Sequence, residues 1–176
     1  MRAPFFVLLG SLALGCGPSQ STTIQPGVEG LPPYTSADVP LFDDGVSAEV
    51  VGGEVERGEP TQGRAKAADG VARVRFVTVT RDSTGEGESY ALEVAAVGPP
   101  IKGPALASLG LTLDARNPSY GLVRNADSSL VGVAVLLLYK RFNDSGRPVT
   151  HWHIEADNDR VQKAIDKARL LGAFER

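Results

Sequence analysis

The chain has 176 residues, 42% hydrophobic and 22% charged, with 20 Gly, 12 Pro, a single Cys and a formal net charge of -3. That composition excludes collagen-like, coiled-coil, multi-disulfide and wholly disordered classes, and suits one globular domain with additional segments. The mild acidity offers no electrostatic attraction for a polyanion, so no nucleic-acid partner is expected from it.

Met1-Arg2 opens the chain with positive charge, and residues 5–14 form an apolar run that ends in Leu12-Ala13-Leu14-Gly15-Cys16. A secretory apolar region spans roughly 7–15 residues and a membrane-crossing helix needs about 20, so this run is a leader rather than a span. Residues 12–16 resemble the lipobox of bacterial lipoproteins. The resemblance implies cleavage between Gly15 and Cys16 and acylation of the Cys16 thiol. With Ala13, the chain lacks the Leu that the commonest pattern prefers three residues before the cysteine. An acylated Cys16 leaves no thiol for a disulfide, a nucleophile or a metal. Several acyl chains on one residue give stable attachment to a membrane, the first expected partner. The lipoprotein resemblance also implies, by the sorting rule known for enterobacterial lipoproteins, an address in the cell envelope at the outer membrane, because Gly17 rather than an aspartate follows the cysteine.

Residues 17–40 are rich in Pro, Gly and small polar side chains and read as a tether. At about 24 residues its root-mean-square span would be roughly 25–30 Å. Residues 41–176 are long enough to bury about two-thirds of their extended surface and form the single domain.

Within that domain, Asp43-Asp44-Gly45 and the following residues open either a short helix or a strand. Alternation over residues 71–81 puts Ala72, Val74, Phe76, Thr78 and Thr80 on one face of a strand, with Arg73, Arg75, Val77, Val79 and Arg81 on the other. Residues 82–88 read as a long polar loop. Residues 89–97, with Tyr90, Leu92, Val94 and Ala96 on one side, complete a β-hairpin. Residues 107–113 are a short element of either type, and residues 120–124 fit a short strand. Residues 130–142 are apolar on both faces and predict a central strand buried on both sides. They match a transmembrane barrel strand in length, but no set of similar strands exists to close such a barrel. Residues 143–146 make a turn, and residues 149–156 predict the next strand, antiparallel to it. Three-four spacing of Val161, Ala164, Ile165, Ala168 and Leu171 predicts an amphipathic helix capped by Asp157 or Asn158 and stopped by Gly172.

The predicted fold is mainly β within the α+β class: an antiparallel sheet or partly closed small β-barrel with a C-terminal amphipathic helix. The run from Arg73 through Val97 to Lys102-Gly103, with the later apolar strand, resembles small secreted domains of the oligonucleotide/oligosaccharide-binding barrel type. The tether, Leu41-Phe42-Asp43-Asp44 and His151-Trp152-His153 resemble uncharacterised myxobacterial lipoproteins. Neither resemblance implies an activity.

Alternate residues of a strand share a face, so His151, His153 and Glu155 line up about 6.5–7 Å apart. Two imidazoles and a carboxylate are the donor set of an open metal site, which would need Asp43, Asp44 or Asp157 to complete it. Without a metal, the three form a polar sheet face and the chain needs no cofactor. Trp152, on the opposite face, suits a core or interface anchor. Arg73, Arg75 and Arg81 form a stripe that could bind an anionic glycan or headgroup, or pair with acids such as Glu93. Asp43-Asp44 lacks the spaced ligands of a calcium loop and suits a cap or turn. No nucleophile elbow, phosphate loop, dinucleotide fingerprint or zinc-finger spacing occurs. The expected role is a membrane-anchored, non-enzymatic module that binds an envelope protein or glycan. The alternative is a metal-dependent enzyme built on His151, His153 and Glu155.

Overall fold

The computed structural model describes residues 27–54, 60–84 and 87–174. The leader, Cys16 and the first part of the tether lie outside them. In chain order the elements are β1 (Gly45–Val46), a 3-10 helix (Ala48–Val51), α1 (Thr61–Ala67), β2 (Gly70–Thr84), β3 (Gly87–Ala96), β4 (Ser108–Asp114), α2 (Tyr120–Leu130), β5 (Ala134–Asp144), β6 (Arg147–Ala156) and α3 (Asp159–Phe174). The six strands make one mixed sheet in the order β1-β6-β5-β2-β3-β4, curled into a half-barrel. All neighbours are antiparallel except β1, which lies parallel to β6. The expected β-rich fold with a C-terminal helix is the observed one.

The sheet separates two cores. Its concave side holds Val74, Phe76, Leu92, Leu113, Val135, Leu137, Trp152 and Ile154, and α2 covers it with Tyr120, Val123 and Leu130. The convex side packs Val71, Leu136, Leu138 and Phe142 under Ala65 and Ala68 of the α1 segment and Val161, Ile165 and Ala168 of α3. β5 serves both cores, which explains why its sequence lacks alternation.

Several local expectations change. A register shift between Phe76 and Thr78 reverses the alternation of β2, so Thr78 and Thr80 are exposed while Val79 packs against the concave core. The expected long loop is mostly strand, because Asp82 pairs with Ser89 and Ser83 with Glu88. Residues 120–124 are the first turns of α2 rather than a strand, and Leu130 ends that helix. Gly172 does not stop α3, which runs to Phe174. Asn158 does cap it, its Oδ1 accepting the Val161 N–H at 3.1 Å. The β5–β6 turn has φ of 52° at Ser145 and 81° at Gly146, the left-handed pair that suits the twist of a two-residue hairpin.

Residues 27–46 form an arm across the convex face. Val28 is buried, Pro33 makes a parallel bridge to Asn143, and Tyr34 lies on His151 and against Phe142. Part of the sequence that composition assigns to the tether therefore belongs to the folded body. The arm then turns at Asp44 (φ 54°) and adds β1 to the outer edge of β6.

The two ends of the curled sheet meet through the segment after β4. Asn117 Nδ2 donates to the carbonyls of Asp43 at 2.6 Å and Asp44 at 3.2 Å, and Ser119 Oγ accepts the Val46 N–H at 3.0 Å. Gly45 permits this approach: an added Cβ would sit 2.7 Å from Ser119 Oγ and 2.9 Å from Asp43 Oδ1. Gly45→Ala should lower stability by about 1–3 kcal/mol, since either contact must give way. Urea unfolding checks this, and an unchanged midpoint would contradict the closure described.

Candidate functional site

β6 sets the polar groups of the convex face. His151, His153 and Glu155 project there while Trp152 and Ile154 enter the concave core, as alternation predicts. Each of the three has its own partner. His153 Nδ1 lies 2.6 Å from Asp43 Oδ1, and His151 Nδ1 lies 2.8 Å from Asp44 Oδ2. An ionised carboxylate only accepts, so both imidazoles donate from Nδ1. Glu155, fully buried, accepts from Arg64 Nη1 at 2.5 Å and Thr61 Oγ1 at 3.0 Å. Arg64 also donates to the Leu41 carbonyl at 2.8 Å, so the same guanidinium holds the arm.

This geometry gives Asp43 and Asp44 a role beyond a cap or turn. Burial alone would raise the Asp43 carboxyl, but the His153 hydrogen bond and charge, with Arg64 behind them, hold it below its ordinary 3.8. For Asp44 burial prevails and raises it, against the opposing bonds from His151 and the Trp152 N–H. Tyr34 stacks on His151 with ring centres 3.7 Å apart. Burial and the charges of Asp44 and Asp43 push its phenol up to about 12, so it stays a donor to the Phe42 carbonyl at 2.6 Å.

As a metal site the three side chains do not act together. Glu155 is committed to Arg64 and Thr61, and among the described residues no group of three or more His, Cys, Asp and Glu is placed to hold an ion. Asp157 bonds instead to Arg73, at 2.6 Å and 3.2 Å. The imidazole Nε2 atoms and Glu155 Oε2 are buried without a hydrogen-bond partner, although Arg160 stands 4.0 Å from the last.

The arginine stripe is divided in the same way. Arg73 pairs with Asp157 and Arg81 with Glu88 at 2.5 Å, while Arg75 is exposed. Arg73 also borders a cavity of about 210 Å³ shared with Ile101 and α3.

A different feature emerges where the half-barrel fails to close. Residues 109–112 of β4 form one bank of a cleft of about 250 Å³, and Asp44, Thr150 and Trp152 form the other. A second hollow, of about 410 Å³, continues from Thr112 along β4 to Asp114 and Arg116. Trp152, the single tryptophan, is 3% exposed and anchors the bank opposite β4. Its backbone N–H donates to Asp44 Oδ1 at 2.9 Å, so the histidine clasp and the cleft share one aspartate. Sequence reading missed this cleft because it joins strands 40 residues apart. It missed Arg64 because Thr61–Ala67 carries no helical periodicity.

No family model and no curated protein matches the chain. Among solved structures, a small single-stranded DNA-binding protein from Streptomyces coelicolor is similar, at 21% identity over 51% of this chain and 86% of that one, with a TM-score of 0.21. The exclusion of nucleic acid drawn from net charge is withdrawn. The physical fault in the exclusion is that a whole-chain charge of -3 does not describe the potential at any one surface. Among the described residues no helix is long and apolar enough to cross a membrane.

Asp43 provides a pH test of the clasp. Its folded value is lowered, so its contribution is present above the unfolded carboxyl value and is lost as pH falls through the folded value, below 3.8. Thermal melts across that acidic range should show Asp43→Asn less stable than the parent at neutral pH, by about 2 kcal/mol for a charge-assisted bond, with the gap closing in acid. A pH-independent gap would contradict the assignment.

Proposed function

We propose that the chain is a membrane-anchored envelope lipoprotein whose domain is a non-enzymatic binding module, with the open seam between β4 and β6 as its ligand site. The observation that carries the reading is the contrast between the two candidate sites. On the convex face, the carboxylates and Nδ1 atoms of the polar cluster are turned inward to one another and hold the arm. At the seam, the backbone edge of β4 faces a cleft that no described residue fills.

Strand order supports a binding role. The long β2 is shared by the β3–β4 hairpin and the β5–β6 pair, and α2 stands between β4 and β5. That connectivity resembles the five-stranded, partly open Greek-key barrel, an architecture that binds extended polymers across its strand face. The leader, with Cys16 at the end of its apolar run, supports the anchor. Residues 17–26 would then hold the folded body off the bilayer.

The anchor is tested by metabolic labelling with an alkyne fatty acid followed by fractionation. The parent should take the label and sediment with membranes, whereas Cys16→Ser should lose the label and leave the membrane fraction. An unlabelled parent, or a Cys16→Ser chain still wholly in membranes, would overturn the anchor.

A further inference from the structure

Resting on the seam as the ligand site, we propose that its ligand is an extended polypeptide segment, bound as an added β-strand beside β4 and in line with β1.

The argument begins with where the backbone groups point. Ala96 N–H bonds the Ala107 carbonyl at one end of the β3–β4 ladder, and Ala115 N–H bonds the Glu88 carbonyl at the other. With the register between them unbroken, odd-numbered residues of β4 turn their amides toward β3. Ser108, Gly110 and Thr112 therefore turn theirs outward, toward the cleft. On the other bank, Asp44 N–H donates to the Trp152 carbonyl and Ser47 N–H to the Ile154 carbonyl. Even-numbered residues of β6 thus face away from β5, and Thr150 presents both its N–H and its C=O. Pro148, the next outward position, has no N–H and ends the row of donors.

This edge already accepts a polypeptide strand. β1 lies parallel to β6, Gly45 opposite His153 and Val46 opposite Ile154, and stops where the cleft begins. A bound segment continues that line past Thr150. The outward row of alternating N–H and C=O groups along β4, with Thr150 on the opposite bank, matches another peptide backbone, which offers the same alternation on both of its own edges. Sugar hydroxyls and phosphates have no such repeat.

Two features of β4 agree. Its outward positions are Ser, Gly and Thr, with no Lys, Pro or bulge before Asp114, so the edge lacks the usual guards against strand addition. Gly110 has no packing reason inside the domain, since an added Cβ would meet nothing within 4 Å, and its φ does not require glycine. Glycine within a strand costs roughly 0.5–1 kcal/mol, and it fits a site that another backbone approaches closely. Leu109, Leu111 and Trp152 line the cleft where the concave core reaches it, so alternate side chains of the segment would extend that core.

The test is selection of a phage-displayed random octapeptide library on the full chain in detergent, read by the emission of Trp152. Enriched peptides should alternate apolar residues and shift the emission saturably. Thr112→Pro, which removes an N–H used by no bond in the sheet, should weaken them by about tenfold or more without moving the melting temperature. The same peptides resynthesised with alternate amides N-methylated should lose binding, a result independent of any variant's folding. Absence of enrichment, or binding indifferent to both changes, overturns the proposal. If an oligo-dT strand or a chito-oligosaccharide shifts the emission and no peptide does, the seam stands as the ligand site and the polypeptide assignment falls. If none of the three does, the seam itself falls.

Discussion

The position of the arm across β6 depends on two carboxylate–imidazole contacts, Asp43 to His153 and Asp44 to His151. A buried imidazole without a partner is costly, by about 1–3 kcal/mol for each unsatisfied group. The consecutive aspartates satisfy both histidines at Nδ1 and in doing so fix the arm's register on the strand. Once Asp44 is fixed, Gly45 and Val46 fall against His153 and Ile154, and Val46 N–H meets Ser119. The curl of the sheet is tied at one end by the same two carbonyls that Asn117 grips.

Arg64 extends this arrangement into the convex core. It joins Glu155 of β6 to the Leu41 carbonyl of the arm from the short helix α1, with Thr61 completing the carboxylate oxygen. A buried pair of this kind contributes little net stability, but breaking it from one side costs about 3–5 kcal/mol, so it acts as a constraint on where α1 sits. Asp157–Arg73 and Glu49–Arg160 tie the two ends of the same face to β2 and α3. The convex polar groups are therefore architectural. By consuming the outer edge of β6 only from Trp152 onward, the arm leaves Thr150 facing β4 across the cleft.

Much of the fold was legible because most elements carry the burial period of their own type. β2, β3, β5, β6 and α3 follow from alternation, a two-sided apolar run and three-four spacing. Tyr120 to Arg124 misled because Tyr and Val favour strands locally, whereas Val123 and Leu130 meet the concave core from a helix. The bulge at Phe76 and Thr78 was invisible because alternation before and after it looks equally regular. His151, His153 and Glu155 were recognised as sharing a face, yet their partners lie about 90 to 110 residues earlier in the chain. The matching doublets, Asp43-Asp44 and His151 with His153, were the one hint that the two segments meet. Nothing in the sequence marks the seam, because it is defined by strands that do not pair.

The central claim is that the arm seals one half of the β6 edge and leaves the seam open, and residue-resolved amide hydrogen exchange of the native chain tests it most directly. Asp44, Ser47 and Trp152 N–H groups should be protected along with Leu111 and Leu113, while the N–H groups of Gly110, Thr112 and Thr150 should exchange far faster than those neighbours. Equal protection along β4 would contradict the open edge, and rapid exchange at Trp152 and Ser47 would contradict the seal made by the arm.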